Sequence, residues 1–180
     1  VQEGMRVVDV CAGAGGKTLH LAALMKNKGQ IIALDIYEWK LAELKRRAKR
    51  AGAHNIETRV IEDNKVIKRL HEKADRLLID SPCSGLGVLK RNPDSKWKID
   101  QEFIDRIKKE QEKILQDYAK ILKKGGKMIY ATCSILPSEN NEQVEIFLKN
   151  NEGYSLIKEE KVMPSEGFDG FYMALIERKA

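Results

Sequence analysis

Hydrophobic runs alternate with segments of helical period from one end of the chain to the other. Val7 to Cys11 is a short apolar run that predicts a first strand, and Leu19, Leu21, Ala22, Leu24 and Met25 then recur at helical spacing. Ile31-Ile32-Ala33-Leu34, closed by Asp35, predicts a second buried strand, and residues 38 to 51 a helix stopped near Gly52. A third strand is expected over Glu57 to Ile61, a short helix over 64 to 71, and a fourth strand over Asp75 to Ile79 that ends on Asp80. Periodicity then vanishes from Ser81 to Lys98, where Gly85, Gly87, Asn92 and Pro93 mark a long loop. Phe103, Ile104, Ile107, Ile114, Leu115, Tyr118, Ile121 and Leu122 predict a long helix ended by Gly125-Gly126, with a fifth strand from Lys127 to Thr132. Pro137 and Ser138 open another helix with Val144, Ile146, Phe147 and Leu148 inward, and strands follow near Tyr154 to Ile157 and Phe171 to Glu177. Strands alternating with helices in this way predict an α/β fold, a mostly parallel seven-stranded sheet with helices on both faces.

Composition narrows the class. With 180 residues, 42% of them hydrophobic, the chain is long enough for one substantial core, and no linker or repeat divides it, so residues 1 to 180 are expected to form one domain. No run approaches the roughly 18 apolar residues of a membrane span, and Val1-Gln2-Glu3-Gly4 does not begin a secretory signal. The expectation is a cytoplasmic monomer with no membrane contact. Cys11, Cys83 and Cys133 form no Cys-x-x-Cys pair, and His20, His54 and His71 lack ligand spacing, so no metal site is expected. Lys and Arg number 33 against 27 Asp and Glu, an excess of +6 that favours a polyanionic partner without proving one.

Candidate chemistry begins at the first strand's end. In Asp9-Val10-Cys11-Ala12-Gly13-Ala14-Gly15-Gly16-Lys17-Thr18, glycines would let backbone amides approach a ligand at the positive end of the following helix. Two nucleotide-binding patterns each fail by one residue: Cys11 stands where a P-loop needs its first glycine, and Thr18 where a dinucleotide fingerprint needs its last. What remains is the turn of an S-adenosylmethionine site, with Cys11, Ala12, Gly13, Ala14, Gly15, Gly16 and Lys17 around the cofactor. Asp35, closing the second strand, is then placed for the ribose hydroxyls, Asp63 for the adenine amino group, and Asp80 for the methionine end or the substrate. The competing reading is that Asp35 and Asp63 cap the helices that follow them.

Cys83, in Asp80-Ser81-Pro82-Cys83-Ser84-Gly85, and Cys133, in Thr132-Cys133-Ser134, each follow a predicted strand at the edge where α/β sheets bind ligands. Either alone reads as a small buried hydrophobe. With the Gly-Gly-Lys-Thr turn at 15 to 18, Leu122-Lys123-Lys124-Gly125-Gly126, and Pro137-Ser138-Glu139-Asn140, these motifs resemble the Sun-type (Nop/Sun) RNA cytosine-5 methyltransferases, bacterial members acting on ribosomal RNA above all. The resemblance spans nearly the whole chain and implies a Rossmann-like class I methyltransferase fold, S-adenosylmethionine as cofactor and RNA as partner, ribosomal RNA favoured and tRNA possible. It makes Cys133 the nucleophile that adds to carbon-6 of cytosine, Cys83 the residue that helps break the adduct after methyl transfer, and Asp80 a group that bonds the ring near nitrogen 3. Lys90, Arg91, Asn92 and Trp97, in the long loop after Cys83, are the expected substrate contacts, combining phosphate-binding charge with a ring for an unstacked base. Trp97 has an alternative use as an anchor for the loop.

The chain departs from the family at Gly13-Ala14, where Ala-Pro is usual, which points to a looser turn. It also begins immediately before the first motif, so it is expected to be a catalytic domain without the upstream RNA-binding region of the family. A P-loop nucleotide-binding protein and an inactive RNA-binding module of the same fold are the competing functional readings.

Overall fold

The computed structural model describes residues 1–180. The elements run β1 (Arg6–Val10), α1 (Gly16–Leu24), β2 (Gln30–Asp35), α2 (Glu38–Arg50), β3 (Ile56–Val60), α3 (Asn64–Lys68), β4 (Ala74–Asp80), α4 (Gln101–Tyr118), β5 (Leu122–Thr132), α5 (Asn141–Asn150), β6 (Tyr154–Val162) and β7 (Phe171–Arg178). Seven strands form one sheet in the order β3-β2-β1-β4-β5-β7-β6. Strands β1 to β5 pair in parallel, and β7 runs antiparallel to both β5 and β6. The chain works outward from β1 through β2 to β3, then returns to β4 beside β1. That reversal opens a crevice at the carboxyl ends of the two central strands.

Burial explains the strand patterns. Val7, Val8 and Val10 of β1 and Ile31 to Leu34 of β2 are covered on both faces, so they read as continuous apolar runs. Leu41, Leu44 and Ala48 give α2 its inward stripe, and Ile107, Gln111, Ile114 and Leu115 do the same for α4, whose first turn is capped by Asp100 accepting from the Phe103 amide at 2.8 Å. A cluster of 21 buried residues from β1, β2, β4, β5, β7, α3, α4, α5 and the turns after α3 and α4 forms the main core.

Three expectations are corrected. The long helix stops at Tyr118, a short 3-10 turn covers Ala119–Ile121, and Leu122 is already extended as the first residue of β5. Amides of Glu72 and Lys73 donate to the carbonyls of Lys120 and Ile121, drawing the chain beside β4 early. Gly125-Gly126 therefore lies within a bulge of β5, where the register with β4 shifts between Ala74↔Leu122 and Arg76↔Lys127, and not at a helix end. Ile146 is 41% exposed, because at about 100° per residue it points away from the stripe of Val144 and Phe147. Strand β6 runs to Val162, beyond the expected Ile157, as an edge carrying Lys158, Glu159, Glu160 and Lys161.

Leu34→Ala, at a fully buried position of β2, is expected to cost about 2–5 kcal/mol, whereas Leu156→Ala on the edge strand should cost less than about 1 kcal/mol. Urea unfolding followed by circular dichroism measures both.

Candidate active site

Five parallel strands present their carboxyl ends at one edge, and the candidate residues gather there. After β1 the chain turns through left-handed conformations at Cys11 (φ 61°), Gly13 (φ 56°) and Gly15 (φ 85°). The Ala12 amide donates to the Leu34 carbonyl at 2.9 Å and the Gly15 amide to the Ala12 carbonyl at 3.0 Å, which ties the turn to β2. Gly15 has no substitute, since a Cβ there would fall 2.5 Å from Cγ of Leu44. At Gly13 an added Cβ would meet nothing within 4 Å, so that face of the turn stands open. The Arg47 guanidinium donates to the Ala14 carbonyl at 2.7 Å, holding the turn where the usual proline is absent. Helix α1 starts at Gly16 with no acid in its first turn, leaving its leading amides and dipole unmatched by side-chain charge.

Asp35 is 5% exposed and accepts from the Gly13 amide at 2.8 Å and from the Tyr37 amide at 2.9 Å, one on each oxygen. Each oxygen keeps a further lone pair for a hydroxyl. Asp35 lines a cavity of about 440 Å³ together with Cys11, Ile36, Tyr37, Lys40, Ile61, Asn64, Asp80 and Pro82, and Glu110, Lys113, Ile114, Asp117 and Tyr118 of α4 complete the wall. Burial pushes the Cys11 thiol well up, so Cys11 packs beneath this space as a neutral group. Asp63 stands elsewhere: it caps α3 by accepting from the Lys65 amide at 2.7 Å and pairs with the Lys65 ammonium at 3.6 Å. Its neighbour Asn64 is the one that reaches the cavity wall.

Beyond the cavity lie the two thiols. Strand β4 ends at Asp80 and β5 at Thr132, with Asp80 opposite Ala131 and the Ser81 amide donating to the Ala131 carbonyl at 2.9 Å. The loops that continue these strands bring Sγ of Cys83 to 3.3 Å from Sγ of Cys133. The Cys83 thiol next to it lowers the pKa of Cys133, while the same contact and burial raise that of Cys83. The contact thus favours a thiolate at Cys133, with the neighbouring sulfur within hydrogen-bonding reach of it. Asp80 pairs with the Lys17 ammonium at 2.6 Å, and that ammonium lies 5.3 Å from the centre of the Phe171 ring. The side chains of Lys17 and Asp80 are 43% and 32% exposed, so the pair contributes no more than about 1 kcal/mol to stability.

Two groups at the site carry no role in the sequence reading. Glu139, fully buried, accepts from the Ser84 amide at 2.7 Å, from Ser134 Oγ at 2.7 Å and from the Gln111 carboxamide at 3.0 Å, so one carboxylate touches the residue after each cysteine. Asp9, buried in β1, accepts from Thr18 Oγ1 at 2.6 Å, while its other oxygen is buried without a partner. Burial pushes the Asp9 carboxyl up to about 7. The signal for Asp9 was present, an acid inside an apolar run; for Glu139 only its motif was visible, and not its burial.

In the long loop, Trp97 is 80% exposed and so does not anchor the loop. Arg91 pairs with Asp169 at 2.7 Å, Asn92 precedes the short turn Pro93–Trp97, and Lys90 lines a hollow with Leu86, Ile135 and Phe168. Gly87 ties this loop to the thiols: its amide donates to the Cys133 carbonyl at 2.9 Å, and a Cβ on it would fall 2.7 Å from that oxygen.

The cavity's composition tests the cofactor. Asp35, Asp80, Glu110 and Asp117 outnumber Lys40 and Lys113 around it, a wall that suits a sulfonium and an ammonium and repels a triphosphate. The open glycine turn, the helix amides and the free lone pairs of Asp35 fit the carboxylate and ribose of S-adenosylmethionine.

The sequence matches the family described as 16S rRNA methyltransferase RsmB/F over residues 1–177. It is 35% identical to a probable ribosomal RNA small subunit methyltransferase B of Bacillus subtilis (strain 168), over 96% of this chain and 43% of that protein. It is 34% identical to the tRNA (cytosine(72)-C(5))-methyltransferase NSUN6 of Mus musculus, over 99% of this chain and 39% of that protein. The fold matches NSun6 from Pyrococcus horikoshii, solved with SFG, an S-adenosylmethionine analogue, with a TM-score of 0.90 at 28% identity over 100% of this chain and 49% of that one. The structure of PH0851 matches with a TM-score of 0.95 at 32% identity, over 98% of this chain and 43% of that one. The chain thus spans less than half the length of these relatives. The family is one of S-adenosylmethionine-dependent methyltransferases, which removes the P-loop reading. The chain belongs to the RsmB/F family of 16S rRNA methyltransferases.

Proposed function

We propose that this chain is the catalytic domain of an RNA cytosine-5 methyltransferase, which moves a methyl group from S-adenosylmethionine to carbon-5 of a cytidine in RNA, ribosomal RNA first, through a covalent bond between Cys133 and the pyrimidine. The observation that carries the reading is the 3.3 Å contact between two thiols from separate loops, beside an acid-rich cavity. A single reactive cysteine would need no such partner.

When bound, S-adenosylmethionine supplies a methyl group on a positively charged sulfur. Asp35 would hold the ribose hydroxyls, the turn from Cys11 to Lys17 would take the methionine end, and Ile36, Ile61 and Asn64 would take the adenine, with Asp63 behind Asn64 at the head of α3. The Cys133 thiolate, stabilised by the Cys83 S–H, adds to carbon-6 of cytosine and makes carbon-5 electron-rich enough to take the methyl. Negative charge then builds on nitrogen 3 and oxygen 2 of the ring. The Lys17 ammonium, donating to Asp80 at 2.6 Å, supplies the compensating hydrogen bond through a remaining N–H, with Asp80 holding it beside the ring. After methyl transfer the carbon-5 proton leaves to water, its electron pair restores the double bond to carbon-6, and the carbon–sulfur bond breaks. Cys83 donates its S–H to the departing Cys133 thiolate, the same contact that stands in the free protein. Lys90, Arg91, Asn92 and the exposed Trp97 ring take the RNA strand around the target.

Two outcomes are expected. Calorimetry should show S-adenosylhomocysteine binding, with no binding of ATP or GTP, and Asp35→Ala should weaken it about tenfold or more; nucleotide binding in its place would defeat the cofactor assignment. In the full-length protein mixed with RNA, Cys83→Ala should accumulate a covalent complex on denaturing gels and Cys133→Ala should form none. The reverse pattern would exchange the two roles.

A further inference from the structure

Nothing in the backbone ladder keeps the two thiols in contact. The last pairing between β4 and β5 is Asp80 with Ala131, and the Ser81 amide makes the final ladder bond; past it the loops share the bond from the Gly87 amide to the Cys133 carbonyl, four residues beyond Cys83, which leaves the backbone of Cys83 itself untied to the other loop. A sulfur–sulfur distance of 3.3 Å therefore needs a clamp.

Glu139 supplies it by its position between the loops. One oxygen accepts from Ser84, the residue after Cys83, and the other from Ser134, the residue after Cys133. Gln111 of α4 joins the first oxygen and spends its other N–H on the Pro82 carbonyl, at 2.9 Å, so the backbone on both sides of Cys83 is fixed. Asn140 does the equivalent for Cys133: it accepts from Thr132 Oγ1 and donates to the Ser134 carbonyl at 2.9 Å. The hydroxyls of Ser84 and Ser134 meet at 3.2 Å, completing the bridge. Glu139 is also held from behind, because its carbonyl accepts from the Tyr130 hydroxyl at 2.8 Å. Glu139 forms no ion pair. It is a buried carboxylate surrounded by donors, all used to fix two loops, and it touches neither sulfur.

We propose that Glu139 is a positioning residue: by gripping Ser84 and Ser134 on its two oxygens it holds the sulfurs of Cys83 and Cys133 within hydrogen-bonding distance, and so makes Cys133 a competent nucleophile. The consequence for the reaction rests on the proposed thiol chemistry, whereas the clamp itself does not. Glutamine can take over most of the job. Its oxygen accepts from the Ser84 amide and Gln111, its nitrogen donates to Ser134 Oγ, and the Ser134 hydroxyl turns toward Ser84 Oγ. Alanine cannot.

The test follows the alkylation of Cys133 by iodoacetamide against pH, by mass spectrometry of the full-length protein, together with RNA methylation kinetics. Because the thiolate reacts and the Cys83 S–H favours it, wild-type Cys133 should gain reactivity at a pH below that of an ordinary cysteine. In Glu139→Ala the midpoint should move upward to that of Cys83→Ala, and kcat should fall about 100-fold with KM for S-adenosylmethionine little changed. Glu139→Gln should stay within about threefold of wild type in kcat and keep the low midpoint. Ser134→Ala, which removes one arm only, should lie between, and it keeps the test open should Glu139→Ala fail to fold. A folded Glu139→Ala, or Ser134→Ala in its place, with the wild-type alkylation profile and wild-type kcat would overturn the proposal. A shifted alkylation profile in a protein that methylates no cytosine would uphold the clamp and defeat the reaction assigned to it.

Discussion

The parallel pairing of β4 with β5 is the constraint on which the site depends. Its register sets Asp80 opposite Ala131 and delivers the two thiol loops to the same place at the sheet edge. Everything that makes the thiols useful is added after the ladder ends: the Ser81 bond, the Gly87 bond and the carboxylate of Glu139. A one-residue slip would reverse which side chains face each layer and send the loops apart, so the buried runs of β4 and β5 are as much a part of the chemistry as the cysteines. The antiparallel β7 belongs to the same arrangement, because the turn before it places Gly170 against Gly87, where a Cβ on either residue would collide with backbone.

The site divides its charge. Carboxylates from β2, β4 and α4 gather around the cavity assigned to a cationic sulfur, while the loop that follows Cys83 carries Lys90, Arg91, Lys96 and Lys98. The modest excess of positive charge on the whole chain conceals this separation. An acid wall and a basic rim suit a sulfonium donor and a polyanionic acceptor at adjacent places without either neutralising the other's site.

Much of this was legible in the sequence, for a physical reason. Apolar runs of β1, β2, β4 and β5 are continuous because both faces of a parallel sheet are buried, and a carboxylate or glycine at the end of such a run is conspicuous. Asp35 and Asp80 stood out on that ground and both line the cavity. Asp63 stood out in the same way and serves to cap α3, since an acid before a helix satisfies either demand and pattern alone does not separate them. The end of α4 was hidden because Ile121 and Leu122 suit a helix face and a buried strand equally well. The wall that α4 contributes, from Glu110 to Tyr118, was hidden too: these residues lie 28 positions and more from the other half of the cavity, and only the tertiary fold unites them.

Glu139 shows the deeper limit of reading a chain. Its neighbours Pro137, Ser138 and Asn140 suggest only the start of a helix, and an acid in a first turn normally interacts with the dipole at the surface. Here the chain turns so that the carboxylate points inward, and of the three donors waiting for it Ser134 lies five positions away while Gln111 and Ser84 lie 28 and 55 positions away. Burying a charge is costly unless hydrogen bonds replace its water, and three of them do so. An expense of that kind is retained when the geometry it fixes is worth more than an apolar contact would be, and the geometry fixed here is the distance between two sulfur atoms.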